Sequence, residues 1–328
     1  MRMRVLFINS KQFDYLQDLT FSGLVKTLGS TNVVNYPCNY KYHLPVKQYP
    51  KNLGYIGFSV KSFFTPDFSS FDAVILGSAK KDALETLKSI QTKISDKPLI
   101  FLDGGDREEI GGDFFRLGAG EDYLEFIKKR PFDLICKREF FPNLHGNLKN
   151  VYPFPFSFPY HINIESLTEE EKRYDVSFWA QQKPAIREKA LNLLKGKFDC
   201  DENGTSIGLN FKKYKRKGLF YLKELSRCKL VLNLRGGGWD TMRYWEVPAV
   251  GSLMITQRPK IYIPDNFEEG KHVVFCDDSL DDMLDKMSYY LSNVSLREEM
   301  TRNAKAHLMK YHMNTNRAQY LIEKIKAL

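Results

Sequence analysis

The sequence predicts an α/β protein built as two similar-sized halves, and three observations carry that reading. The chain has 328 residues, more than one hydrophobic core ordinarily serves, so two cores are expected. Short apolar, β-branched runs alternate with helical patterns through both halves, the signature of βα units feeding parallel sheets. Between Pro153 and Pro159 the stretch PFPFSFP sets three prolines in seven residues, which neither a helix nor a central strand tolerates. That stretch marks a domain end.

The elements follow in order. Arg4 to Asn9 is a strand, Asp18 to Leu28 carries apolar residues at helical spacing before Gly29, and Val33 to Tyr36 is a second strand. Residues 37–68, rich in Tyr, Lys and Pro, read as loops with a short helix. Strands at Phe71 to Leu76 and Pro98 to Asp103 flank a helix over Asp82 to Ile94, and Phe132 to Cys136 and Val151 to Phe154 complete the first half. Charged residues from Ser166 to Arg173 read as a linker. In the second half the strands are Asp175 to Trp179, Phe198 to Asp201, Leu230 to Leu234, Ser252 to Thr256 and Val273 to Cys276. The helices are Ala185 to Leu194, Leu219 to Arg227, Thr241 to Val247, Leu280 to Leu291, Leu296 to Tyr311 and Thr315 to Ile325. The expected organisation is a first domain over 1–159, a linker over 160–173, a second domain over 174–311 and a last helix, 312–328, crossing back to the first. A cleft between two such halves is the expected ligand site.

Hydrophobic residues at 43% and charged residues at 27% exclude disordered and collagenous classes. The 24 Phe and 18 Tyr imply well-filled cores and surfaces able to stack on rings; the Tyr-rich stretch from Tyr36 to Tyr55 is one such surface or simple loop packing. Lys and Arg outnumber Asp and Glu by 49 to 40, a net charge of +9 spread over both halves, which favours phosphate-bearing molecules, nucleic acid or an anionic membrane surface alike. The basic run FKKYKRKG, with Lys212 to Lys217 around Tyr214, fits an anionic acceptor or a solvated loop. Five cysteines without a C-x-x-C pair do not make a disulfide framework or a zinc site. The four-residue apolar stretch near the N-terminus is too short for a signal peptide, and no run approaches a membrane span. The expected location is the cytoplasm, with peripheral membrane contact compatible.

The densest chemical signal is SRCKLVLNLRGGGWDTMRYWEVPAVGSLMIT, Ser226 to Thr256. A buried strand runs into Arg235 and Gly236, Gly237 and Gly238, and a helix opens at Asp240 or Thr241. Backbone N–H groups of a glycine turn and a helix start approach a phosphate closely, so this is an anion site. Arg243 and Glu246, three apart, add a cation and a carboxylate able to hold a ribose. A flexible turn followed by an ordinary helical ion pair is the alternative. Gly251 ends the helix.

RYWEVPAVGSLMIT, then HVVFCDDSLDDMLDKMSYYLSN from His272 and LREEMTRNAKAHLMKYH from Leu296, resemble the C-terminal domain of GT-B glycosyltransferases, in particular the spore-maturation-protein-like group. FDLICKREFF and RYDVSFWA are similar to two further strands of that group. Exostosin-like transferases share a similar R-x-W-E segment. The resemblance covers roughly residues 130–315 and implies two Rossmann-like domains facing a central cleft and a hexosyltransferase-type enzyme using a nucleotide-sugar donor. It places Glu246 on the donor ribose, with Gly251 at the matching position. The family's earlier Glu falls at Gly238, which leaves the anomeric outcome open and keeps a non-catalytic nucleotide-sugar-binding module as an alternative; a nucleic-acid-modifying transferase is a further alternative, supported by the positive charge and the basic run. Arg243 matches the group's R-x-x-E arginine; Lys183, Arg187 and Arg235 join it around the diphosphate, with Asp240 and Thr241 at the helix start.

No cofactor and no metal are expected beyond the donor itself, because Arg, Lys and helix-terminal N–H groups meet the leaving charge. Asp277, Asp278, Asp281 and Asp282 read as capping and solvation of a helix start rather than metal ligands. The general base is expected from Asp103 or Asp106, which follow a buried strand at its C-terminal end, although D-G-G-D is also good turn chemistry. His145 and His161 are weaker choices, and Lys137 and Arg138 line the cleft or a solvated strand edge. The acceptor is a carbohydrate or another hydroxyl-bearing molecule.

Overall fold

The computed structural model describes residues 3–43, 64–168, 170–178, 184–199 and 219–328. They form two compact units: Met1–Tyr160 with Ile261–Pro264 and Asn314–Leu328, and His161–Lys260 with Asp265–Met313.

The first unit is a parallel six-stranded sheet in the order β2-β1-β3-β4-β5-β6. Its strands are β1 (Val5–Ile8), β2 (Val33–Tyr36), β3 (Ala73–Leu76), β4 (Leu99–Asp103), β5 (Leu134–Lys137) and β6 (Val151–Pro153). Helix α1 (Tyr15–Leu28) starts three residues before its apolar pattern because Asp14 caps it, accepting the Gln17 N–H at 3.1 Å. Helices α2 (Lys81–Ile90), α3 (Gly112–Arg116), α4 (Gly120–Lys129) and α5 (Pro142–His145) follow. Neither α3 nor α4 is expected from the sequence, since Gly111, Gly112, Gly118 and Gly120 interrupt the helical period. The phenylalanine excess sits in this core: Phe101 stacks at 4.9 Å on Phe132, and Phe114 at 4.7 Å on Tyr123. Each buried ring stabilises by roughly 1.5–3 kcal/mol.

The second unit holds the parallel sheet β10-β9-β8-β7, with β7 (Tyr174–Ser177), β8 (Cys228–Asn233), β9 (Leu253–Gln257) and β10 (Val274–Cys276). Helices α6 (Glu165–Thr168), α7 (Ala185–Leu194), α8 (Phe220–Ser226), α9 (Met242–Ala249), α10 (Met283–Ser292) and α11 (Val294–Tyr311) surround it. The strand expected at Phe198 to Asp201 is not formed where it is described: Phe198 and Asp199 are a turn, with Phe198 at φ 52°. Within the stretch read as linker, α6 forms a short helical turn. The last helix, α12 (Asn314–Lys326), belongs to the first unit and packs on α1. Asn314 fixes it there, donating to the Leu19 carbonyl at 3.0 Å and the Ser22 hydroxyl at 2.8 Å. Among the described residues no helix is long and apolar enough to cross a membrane.

A histidine cluster closes the side of the second unit against α11. His272 is buried, its Nδ1 accepts the Glu268 N–H at 3.1 Å, and its ring lies 4.3 Å from that of His307. Burial, reinforced by His307, holds its pKa down at about 4. Because the folded-state value lies below the unfolded one, the stability this site contributes is in place above the ordinary histidine range and lost as pH falls towards 4. Thermal unfolding followed from pH 7 to 4 is expected to show a falling Tm, with a shallower fall in His272→Gln.

Candidate functional site

The site is built on the crossover from β8 to β9 in the second unit. β8 ends at Asn233, and Leu234, Arg235, the three glycines, Trp239, Asp240 and Thr241 lead into α9, every residue of which is buried. The turn is fixed from several sides. Gly236 N–H donates to the Gly238 carbonyl at 2.9 Å, and Thr241, the N-cap residue of α9, donates its hydroxyl to Asn233 Oδ1 at 2.8 Å. Asp240 Oδ1 accepts the Trp245 indole N–H at 2.8 Å. From α7, Arg187 donates Nε to the Arg235 carbonyl at 2.9 Å and Nη2 to the Leu234 carbonyl at 3.0 Å.

Glycine at 236 is favoured by space rather than by dihedral freedom. A Cβ there would stand 3.2 Å from Arg187 Nη2, while none of Gly236, Gly237 and Gly238 is among the residues of positive φ. Gly251, at φ 70°, is the left-handed residue, and it follows α9.

Arg243 is the electrostatic centre. It is 3% exposed, its guanidinium lies 5.9 Å from the Phe178 ring, and it makes no hydrogen bond or ion pair with any described residue. The helical ion pair with Glu246 is therefore absent. A buried guanidinium that finds no counter-charge among the described residues is costly to the fold, and an anion is the chemical complement it lacks there. The backbone N–H groups of Met242 and Arg243, in the first turn of α9, likewise find no acceptor among the described residues. Both features converge on one place.

Glu246 sits one turn further along α9, fully enclosed, and accepts the Tyr221 hydroxyl of α8 at 2.9 Å. Tyr221 carries no signal in the sequence, since its partner is 25 residues away. Arg235 is exposed, with its guanidinium 5.1 Å from the Trp239 ring. Trp239 also lies 5.6 Å from the Lys260 ammonium, so a partly exposed indole stands between two cations beside the turn. Lys183, the run Lys212 to Lys217 and most of the stretch from Tyr36 to Tyr55 lie outside the described residues.

In the first unit Asp103 is not the open carboxylate a general base requires. It is fully buried, 3.0 Å from the equally buried Lys137 ammonium, and the same Oδ2 accepts the Gly111 N–H at 2.9 Å. Lys137 also donates to the Arg107 and Glu109 carbonyls at 2.7 and 3.1 Å, pinning the loop after β4. Lys137 is thus an internal clamp and not a solvated strand edge. Asp106 keeps half its surface open and pairs with Arg138, whose guanidinium lies 4.5 Å from the Phe156 ring. His145 is held by the Phe141 N–H and the Glu108 carbonyl at 3.0 and 2.9 Å, and His161 is exposed. Asp278, Asp281 and Asp282 pair with Lys260, Lys189 and Lys286, and no metal-binding group occurs among the described residues.

With this geometry, residues 199–323 match the family described as glycosyl transferase-like. Among solved structures the chain is similar to HepE of Anabaena, crystallised with UDP-glucose, at TM-score 0.63 and 11% identity, covering 99% of this chain and 100% of that one. It is similar to a glycosyltransferase of Rickettsia africae ESF-5 at TM-score 0.61 and 10% identity, covering 99% and 98%. An α-glucosyltransferase in complex with UDP-glucose and DNA containing an abasic site matches at TM-score 0.58 and 10% identity, covering 99% of each chain. No curated protein sequence matches the chain. The fold is that of these GT-B structures.

Proposed function

We propose that the protein transfers a hexosyl group from a nucleoside-diphosphate sugar to a hydroxyl acceptor, with the donor diphosphate seated at the start of α9. The single observation that carries this is Arg243, a buried cation that finds no partner among the described residues, beside two helix-terminal N–H groups that find no acceptor there either. Cleavage of the sugar–phosphate bond leaves a diphosphate, and fixed positive charge and N–H dipoles stabilise it best when they are already in place. Arg187 and the glycine turn support that surface, and Arg235 with Trp239 borders it. This charge takes the part a divalent ion would otherwise play, so transfer is expected to persist in EDTA. The UDP-glucose held by two of the similar structures supports a uridine donor. The DNA in one of them, together with the net charge of +9, supports a second reading in which the acceptor is a nucleic acid. The four cysteines described are all free, which fits a reducing cytoplasm.

Glu246 is proposed to hold the donor ribose, with Tyr221 orienting its carboxylate. In the described conformation the carboxylate is enclosed, so the ribose contact has its own test. UDP and its 2′,3′-dideoxy analogue are compared in the wild type and in Glu246→Ala. The ribose role requires that the roughly tenfold preference for UDP in the wild type vanishes in the variant; equal losses for both nucleotides assign Glu246 to the packing of α8 on α9. The function itself is tested by incubating UDP-, GDP-, ADP- and TDP-linked sugars with carbohydrate and DNA acceptors. Release of nucleoside diphosphate with a glycosylated product is expected. Binding of the donor without transfer to any acceptor would instead mark a binding module.

A further inference from the structure

A cavity of about 470 Å³, its wall mixed polar and apolar, opens on the second unit between residues 265–272 and the C-terminal half of α11. Its volume falls within the roughly 300–1,000 Å³ of small-ligand sites. None of its lining residues belongs to the glycine turn or to α9. His272 lies two residues before β10, at the N-terminal edge of the sheet, whereas the glycine turn follows the C-terminal end of β8, so this is a separate place.

Three groups on its wall have hydrogen-bonding capacity that the described protein leaves unused. His272 is 4% exposed, and because its Nδ1 accepts the Glu268 N–H, the neutral ring carries its proton on Nε2, which has no acceptor. The Asp265 carboxylate accepts no hydrogen bond, although the Asp265 carbonyl receives His307 and His312 at 2.6 and 2.7 Å. The Asn303 amide, a donor and an acceptor, is also unused. The charges balance: Lys271 is paired with Glu268 at 3.0 Å, and Lys310 stands near Asp265.

An unpaired carboxylate disfavours an anion, nearby ammonium groups disfavour a cation, and a wall about as polar as it is apolar disfavours a lipid while leaving room for the C–H faces of a sugar ring. Hydroxyl groups, which donate and accept at once, match a wall that mixes donors with acceptors. We propose that this cavity is a second ligand site that takes a neutral, polyhydroxylated ligand of the saccharide class, independent of the donor site. The ligand hydroxyls accept from His272 Nε2 and donate to Asp265, while Asn303 does both.

The test is NMR of protein carrying ¹⁵N-labelled histidine, titrated with glucose, N-acetylglucosamine, maltotriose and, as a control, inorganic phosphate. At least one saccharide is expected to shift the His272 resonances, and Asp265→Ala with Asn303→Ala to weaken that saccharide about tenfold or more. Both positions lie at the surface or partly so, and because Asp265 stands at φ 51°, Asp265→Gly, which that backbone accepts, is run beside Asp265→Ala to separate loss of the carboxylate from strain. Arg243→Ala, which strikes the donor site alone, leaves the saccharide response intact, so failure of one site is distinguishable from failure of the other. The proposal is overturned if no saccharide shifts His272, if the double variant responds as the wild type does, or if phosphate alone produces the shift.

Discussion

Arg243→Ala is expected to lower kcat/KM by about 10²–10³-fold while leaving Tm unchanged or higher. The loss follows from removing a fixed charge that faces the leaving diphosphate, worth roughly 3–4 kcal/mol where water is excluded. The stability result follows from burial without a partner among the described residues, where the guanidinium is desolvated and receives no ion pair in return. Arg243→Met, which preserves the volume of the side chain stem against Phe178, sharpens the contrast. A residue needed for packing would lose stability and activity together, whereas a residue kept for an anion loses only activity. Steady-state kinetics and a thermal melt on the same preparation separate the two.

Lys137→Met is expected to destabilise the first unit by about 3–5 kcal/mol, because it leaves the fully buried Asp103 carboxylate without its cation. Urea unfolding should show the loss as a lower midpoint. Combining it with Asp103→Leu recovers part of the stability, since the pair is then replaced by apolar groups of similar size. Recovery stays partial because the Arg107 and Glu109 carbonyls lose their donor as well. Were Asp103 the general base, Asp103→Asn would abolish transfer in a protein of near-normal stability. The geometry requires the reverse emphasis, a fold weakened at least as much as the chemistry.

These two residues show what was and was not readable in the chain. The strands were readable because both sheets are parallel and buried, so each strand is a short continuous apolar run such as Val5–Ile8 or Ala73–Leu76. The candidate anion site is legible because its parts are contiguous: a strand end, three glycines, a helix start and Arg243 fall within one crossover. Asp103 misled because its environment is set by Lys137, 34 residues away on the neighbouring strand, and spacing along the chain says nothing of that pairing. The same limit hid Tyr221 behind Glu246. Gly236 was legible as a close approach but for a different neighbour, since the group that needs the space in the protein itself is Arg187. The helices α3 and α4 escaped because their glycines sit at or near the ends as caps and turns, which a periodicity count reads as interruptions.

A nucleoside diphosphate is proposed to be held at Arg243 and the start of α9. Phosphorus NMR of UDP titrated with the protein tests it most directly. The account requires that both phosphate resonances shift and broaden with the wild type, and that Arg243→Ala restores the free-UDP spectrum at the same concentrations. Resonances that stay at their free positions with the wild type, or that shift equally with the variant, would contradict it.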